Sequence, residues 1–176
     1  MITLHFLKRE LETLFVHRFS LATMPYTNIF KNSAHYWLFS GVLIAYFTYS
    51  PTSPTASHHP AGGNALTYAA VALYVFGELA NLNTHIVLRN LRAPGSTERG
   101  VPRGLGFDWV TCPNYLFESL AWLAILAVNR HWSTAVFIAL AVGQMAIWAK
   151  KKERRYRKEL GGKYKKKSFA MVPGIW

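Results

Sequence analysis

The chain has 176 residues, of which 51% are apolar and 15% aromatic, and this composition excludes intrinsic disorder for the chain as a whole. A formal net charge of +12 is compatible with nucleic-acid binding, but the basic residues all lie outside the apolar blocks, which hold half of the aromatic side chains. We therefore expect a membrane protein without a nucleic-acid partner. The single cysteine, Cys112, excludes an internal disulfide, and no Cys/His spacing predicts a metal site.

An amphipathic helix is predicted at the start of the chain. It either lies on the membrane surface or packs against the rest of the protein. Apolar side chains recur at helical spacing on one side and polar side chains on the other: Leu4, Leu7, Leu11, Leu14 and Phe15 against Glu10, Thr13 and His17.

Four apolar blocks follow, each near or somewhat below the roughly 20 residues that span a bilayer as a helix. They predict an all-α fold: a polytopic membrane helix bundle of about four spanning helices, with the amino-terminal amphipathic helix and cytosolic loops. Only residues 129–132 separate the last two blocks, which predicts a tight helical hairpin. The blocks are 36–49, 65–88, 116–128 and 133–149.

The basic residues predict the orientation of the bundle. All lysines and arginines except Arg130 fall on one side of a four-span topology. By the positive-inside rule, both termini and residues 89–108 should face the cytosol. The loop 50–64, rich in Pro, Ser and Gly, should then be lumenal.

A stripe of polar residues runs along the second apolar block. Glu78, Asn81, His85, Arg89 and Arg92 are separated by 3, 4, 4 and 3 residues, which places them on one narrow face of a helix. Ionisable groups cost at least about 2.5–3.5 kcal/mol each at the centre of a membrane, so they usually face a bundle interior or a water-filled cavity. The stripe therefore predicts a polar cavity. In the alternative, the two arginines reach the membrane surface while Asn81 and His85 bond to neighbouring helices.

The third block opens with polar residues in the stretch DWVTCPNYLFESLAW. Pro113 suits the first position of a helix. From there Tyr115, Glu118 and Trp122 share one face, with Asn114 beside Glu118. We expect Tyr115 and Glu118 at the rim of the cavity. In the alternative, Tyr115 is an interfacial anchor and Asn114 a helix cap, which leaves Glu118 unexplained.

The glycines of ERGVPRGLGFDW are compatible with a phosphate-binding loop, but the sequence has neither a GxxxxGK[ST] motif nor a strand followed by GxGxxG. We therefore interpret Gly100, Gly104 and Gly106 as turn residues.

The fourth block continues into a basic helix. Trp148, Lys152 and Tyr156 follow one another at a spacing of four residues. Together with Arg89 and Arg92, this helix would form a positive cavity mouth suited to a phosphorylated cofactor or a coenzyme A thioester. The last lysines of the chain fit a polybasic patch on anionic lipid.

These stretches together resemble a known family. The segments KRELETLFVHRFSLATMPYTNIFKN, HIVLRNLRAPGS, CPNYLFESLAW and QMAIWAKKKERRYRKEL are similar to the very-long-chain trans-2-enoyl-CoA reductases, within the steroid 5α-reductase superfamily. The resemblance covers nearly the whole chain. It implies NADPH-dependent reduction of a very-long-chain trans-2-enoyl-CoA in the endoplasmic reticulum membrane. The protein would then contact the lipid bilayer and have partners among the other elongation enzymes.

The resemblance also implies roles for residues. Tyr115, in the CPNY motif, corresponds to the family's proposed proton donor. Arg89 is a further candidate for cofactor binding, and it is included because of the charge pattern described above. The superfamily's NADPH pocket maps onto Asn81, Arg92, Asn114, Lys152 and Tyr156, and less directly onto Arg9, Arg18, His85 and Glu118.

Full-length members of the family begin with a ubiquitin-like domain and further membrane helices, and this sequence begins after both. We therefore expect residues 1–176 to form a single membrane-embedded reductase domain without the ubiquitin-like domain. Two alternatives stay open. One is a reductase of a steroid or polyprenol enone that uses the same NADPH site. The other is a non-catalytic, truncated scaffold that binds elongase partners.

Overall fold

The computed structural model of the protein describes residues 1–18, 24–51, 63–92 and 100–175, without the side chains of residues 63 and 64. Most of the predicted lumenal loop lies outside these ranges. Turns of π-helix extend the first α-helix over Glu12–Val16 and connect the second to the third over His35–Ile44. The α-helices of the described ranges are α1 (Ile2–Leu11), α2 (Asn28–Ala34), α3 (Ala45–Tyr49), α4 (Gly63–Asn90), α5 (Pro113–Asn129) and α6 (Trp132–Leu160).

The all-α prediction is confirmed, and two of the about four expected spans are found. Among the described residues, Ala65–Asn90 and Trp132–Lys163 are long and apolar enough to cross a membrane. Helix α5 has 17 residues, or about 25 Å at 1.5 Å per residue, which is shorter than a hydrocarbon core of roughly 30 Å. The first predicted block, 36–49, is divided between π-helical turns and α3.

Helices α4 and α5 approach each other closely at Gly77. A Cβ atom at this position would lie 2.9 Å from the backbone nitrogen of Ala121 and 3.0 Å from the carbonyl oxygen of Phe117. The backbone of α5 occupies the space that a side chain would need. This contact brings the polar stripe of α4 beside the first turns of α5.

The predicted hairpin between α5 and α6 is confirmed. Arg130 adopts a left-handed conformation with φ of 47°, and the His131 side chain accepts a hydrogen bond from the Ser133 backbone N–H at 3.2 Å. A short turn and a side-chain cap thus reverse the chain within two residues. The helices share an apolar core of buried side chains: Ile44, Tyr74, Ala121, Trp122, Ala124, Ile125, Phe137 and Ile138.

Helix α1 is amphipathic as predicted, but it packs through polar side chains other than those predicted, and Glu10 and Thr13 of the predicted polar side are exposed. His5 and Glu12 are each only 2% exposed. Leu14 and Phe15, by contrast, are 70% and 73% exposed, and the other leucines of the same face are exposed as well. This polarity is the reverse of that in a water-soluble bundle, and it suits a surface that faces lipid.

The segment after α6 fixes the start of α5. The backbone N–H of Cys112 donates to the carbonyl of Ala170 at 2.9 Å. Gly106 has φ of 79°, and a Cβ atom there would lie 2.5 Å from the Cβ of Pro113, so only glycine fits. The turn interpretation holds for this glycine, and α5 begins at Pro113 as predicted.

Candidate functional site

Helices α1 and α4 carry matching polar stripes. Three side chains on each helix repeat with spacings of 3 and 4 residues, so parallel helices can pair them in register. The pairs are His5 Nδ1 with Glu78 Oε1 at 2.6 Å, Lys8 Nζ with Asn81 Oδ1 at 2.6 Å, and Glu12 Oε2 with His85 Nδ1 at 2.9 Å.

The carboxylates of this network lie next to cations. Lys8 Nζ lies 3.0 Å from Glu78 Oε2 and 3.1 Å from Glu12 Oε1, and Arg9 Nη1 lies 2.8 Å from Glu12 Oε2. A buried carboxylate without such partners would cost several kcal/mol. We call these residues and their partners His5, Asn81, His85 and Glu118 the ion network.

The network shifts the pKa of its members on α1. Burial alone would lower the pKa of His5, but the carboxylates of Glu118 and Glu78 raise it to about 9. Burial alone would raise the pKa of Glu12, but the adjacent His85 helps to lower it to about 2. His5 is therefore protonated and Glu12 ionised at neutral pH.

Asn81 and Glu118 serve the ion network rather than the cavity. The Asn81 side chain donates from Nδ2 to the carbonyl of Asn114 at 2.9 Å and to Glu118 Oε2 at 3.1 Å. Glu118 Oε1 lies 3.3 Å from His5 Nε2. The prediction that Glu118 lies at the cavity rim is wrong, because the protonated imidazole of His5 on α1 holds the Glu118 carboxylate within the ion network. The Asn114 helix-cap alternative is also wrong, since Cys112 precedes the helix and Asn114 is its second residue.

A cavity of about 310 Å³ opens next to the ion network. It contains every predicted site residue except Asn81 and Glu118, drawn from α1 and its extension, α4, α5 and α6. Its walls are formed by Arg9, His17, Arg18, His85, Leu88, Arg89, Leu91, Arg92, Asn114, Tyr115, Lys152 and Tyr156.

The walls of the cavity are strongly basic. Among the described residues, five of the lining side chains are Lys or Arg, and none is Asp or Glu. The guanidinium of Arg18 donates to the carbonyl of Arg92, and Arg92 Nη1 donates to the carbonyl of Arg18 at 3.1 Å, which holds both side chains at the opening. Arg92 lies just beyond the end of α4, so the polar stripe continues past the helix. Guanidinium and ammonium groups in this number suit a ligand with several phosphates.

Tyr115 stands in the wall of the cavity, in the first turn of α5. Its backbone N–H donates to the carbonyl of Cys112 at 3.1 Å, and its ring centroid lies 6.4 Å from that of Trp148. Within the described ranges its hydroxyl has no hydrogen-bond partner. The hydroxyl is thus free to bond a ligand.

Comparison with known proteins identifies the family. The profile of the family 3-oxo-5-alpha-steroid 4-dehydrogenase matches residues 22–176. The chain belongs to this steroid 5-alpha-reductase family.

Individual relatives agree with the resemblance predicted from the sequence. The chain is 47% identical to a Schizosaccharomyces pombe protein named as an enoyl reductase, over 98% of the chain and 57% of the relative. It is 43% identical to the very-long-chain enoyl-CoA reductase of Dictyostelium discoideum, over 97% of the chain and 55% of the relative. It is 30% identical to the trans-2,3-enoyl-CoA reductase-like protein of Mus musculus, over 98% of the chain and 47% of the relative. The chain thus spans about half the length of the relatives it matches.

The ion network is the part of this family member that the sequence prediction missed. His5, Lys8 and Glu12 were absent from the predicted site, although their spacing repeats that of the stripe on α4. Two polar stripes of equal spacing and complementary charge are a signal for helix pairing, and it could have been read from the sequence.

Glu12, His17 and His85 form the only group within the described residues whose ligand atoms are close enough to hold a metal ion, all within 4.8 Å of one another. Glu12 already lies next to Lys8 and Arg9. A divalent cation would have to displace these positive charges, so the local electrostatics disfavour a metal here.

Proposed function

We propose that the chain is an NADPH-dependent reductase of the trans-2 double bond of very-long-chain enoyl-CoA. The observation that carries this proposal is Tyr115, which lines a cavity with five cations and whose hydroxyl has no hydrogen-bond partner among the described residues. The relatives are named as enoyl reductases, and these names support the same reaction.

The basic cavity fits a phosphorylated dinucleotide. Arg18, Arg89, Arg92 and Lys152 would hold phosphate groups, because they line one cavity to which the described residues contribute no competing carboxylate. The ring of the buried Tyr156, with Lys152 Nζ 5.6 Å from its centroid, provides a rigid wall for the cofactor. When bound, NADPH supplies the hydride that reduces the β-carbon.

Tyr115 performs the proton transfer in this proposal. Its O–H donates a proton to the α-carbon, while the electrons of the C=C bond form the new C–H bond there. The phenolate that remains is stabilised by the cations that line the same cavity, and it recovers its proton from solvent. The Asn81–Asn114 hydrogen bond at 2.9 Å ties the first turn of α5 to α4, so that the tyrosine is held in position.

The same proposal includes the location of the protein. Arg130 lies just before α6, and the 20 residue steps from Trp132 to Lys152 rise about 30 Å, the thickness of a bilayer core. With the positive-inside rule, this supports an endoplasmic reticulum protein with about four spans, cytosolic termini and a cytosolic cavity mouth. Residues 1–176 would form one reductase domain in contact with the bilayer and with other elongation enzymes.

A steroid enone is a second candidate acceptor, because the matching family profile is that of a steroid dehydrogenase. Comparing a long-chain trans-2-enoyl-CoA with a 3-oxo-4-ene steroid as substrates decides between the two. A non-catalytic scaffold, by contrast, would bind no NADPH.

The deciding experiment follows NADPH oxidation in detergent-solubilised protein with a long-chain trans-2-enoyl-CoA. Tyr115→Phe should lower kcat by about 100-fold or more with NADPH still bound, because a general acid contributes on the order of 10²–10⁴-fold. Tyr68→Phe is the matched control, since it removes a hydroxyl from a tyrosine that is 69% exposed on α4. Equal activity of the two variants would reject Tyr115 as the proton donor.

A further inference from the structure

A second cavity, of about 340 Å³, adjoins the first. Tyr115 and Lys152 line both cavities, so the tyrosine stands between them. The remaining walls are Trp148, Lys151 and Arg155. A reduction that needs two ligands, one on each side of a proton donor, has space for them here.

Helix α6 builds this second cavity from one face. Trp148, Lys151, Lys152 and Arg155 are separated by 3, 1 and 3 residues, which keeps them within about 100° of the helix circumference. Two of these side chains, Lys151 and Arg155, take no part in the first cavity or the ion network. The chain thus has cations beyond those that one cofactor site would use.

The chemistry of the second cavity suits an aromatic base that carries phosphates. Three of its five lining residues are cations, and none is acidic. Arg155 Nε lies 3.5 Å from Glu159 Oε1, with both side chains nearly half exposed, and such a surface pair is weak enough to be exchanged for a phosphate. The indole of Trp148 is 44% exposed and offers a stacking surface for a base.

We propose that the second cavity binds the phosphorylated adenosine end of the acyl-CoA substrate, with Trp148 on the adenine and Lys151 and Arg155 on the phosphates. This inference rests on the proposed reduction of an enoyl-CoA. A steroid enone has neither a base nor a phosphate and would have no use for this cavity. The second cavity therefore favours the thioester over the steroid as acceptor.

The test measures binding rather than turnover, with coenzyme A and NADPH as separate probes in a neutral detergent without anionic lipid. Arg155→Gln should weaken coenzyme A binding by about tenfold, as expected for a lost charge-assisted hydrogen bond, and leave NADPH binding within about twofold. Arg154→Gln, which removes the same charge from the neighbouring exposed position outside both cavities, should change neither.

Trp148→Leu should also weaken coenzyme A binding, but it should leave the binding of pantetheine, which has no nucleotide, unchanged. Equal effects of Arg155→Gln and Arg154→Gln would overturn the inference, as would a wild-type chain that binds no coenzyme A. Weaker NADPH binding in Arg155→Gln would assign the second cavity to the cofactor instead. An effect that appears only with phosphatidylserine vesicles would assign it to a lipid headgroup.

The inference and the proposed function can fail separately. A wild-type chain that binds coenzyme A through Arg155 and Trp148 but does not oxidise NADPH with an enoyl-CoA would retain the subsite and reject the reductase. A chain that reduces enoyl-CoA with a KM unchanged by Arg155→Gln would retain the reductase and reject the subsite.

Discussion

The ion network and the basic cavity lie side by side in the same apolar bundle, yet their charges are organised in opposite ways. In the ion network, carboxylates and cations alternate at distances of 2.6–3.3 Å. In the cavity, five cations and no carboxylate line the walls among the described residues, and of these cations Arg9 also belongs to the ion network. Balanced charges hold helices together, whereas unbalanced charges favour the binding of an anion from outside the chain. The difference distinguishes charges that are paired within the fold from charges that the proposed function assigns to a ligand.

Removing a carboxylate from the ion network should have the largest effect on stability. Glu12→Gln leaves Lys8, Arg9 and His85 without their shared anion, and we expect the free energy of unfolding to fall by about 3–5 kcal/mol. Glu10→Gln on the exposed side of the same helix is the control, with an expected change of about 0.5 kcal/mol or less. Thermal unfolding in detergent measures both. Similar melting temperatures for the two variants would contradict a structural role for the network.

Removing a cation from the cavity should affect binding rather than folding. Arg89→Gln should weaken NADPH binding by about tenfold, the loss of one charged hydrogen bond, with an unchanged melting temperature. Arg103→Gln, an exposed position outside the cavity, should bind NADPH like the wild type. If Arg89→Gln instead unfolded the protein at normal NADPH affinity, Arg89 would belong with the structural charges.

The pH dependence of the melting temperature should also distinguish the ion network from the cavity, with a smaller effect than the two substitutions above. Because the folded protein raises the pKa of His5 from 6.5 to about 9, its stabilising contribution is complete below pH 6.5 and is lost as the pH rises through about 9. The melting temperature should therefore fall between pH 7 and pH 9.5, and it should fall less in His5→Asn. An identical decrease in both proteins would show that His5 does not carry this dependence.

The sequence predicted the residues that line the cavity better than it predicted their supports. Arg92, Tyr115 and Lys152 were selected by charge, motif and helical spacing, and the fold brings them into one cavity. Glu118 was misplaced because helical periodicity defines which residues share a face but not which helix packs against that face. Two of the about four expected spans are found among the described residues, and the full number stays a prediction, since apolar composition alone does not reveal that α5 is only 17 residues long.

Helix α1 shows the same limit in another way. Its leucine stripe was recognised, but a stripe alone does not indicate whether water or lipid lies outside it. In water the leucines would turn inward. In this bundle His5 and Glu12 turn inward, because the ion network offers them partners there: Glu78 and Glu118 for His5, and Lys8, Arg9 and His85 for Glu12.

The hydrogen bond from Cys112 to the carbonyl of Ala170 has a consequence for biosynthesis. Ala170 follows α6 in the chain, so the ribosome must complete both helices of the α5–α6 hairpin before this bond can form. The turn that places Tyr115 is therefore closed only after the hairpin has been synthesised. A nascent chain that has inserted α4 and α5 would therefore hold the proposed proton donor, Tyr115, in an unfinished turn.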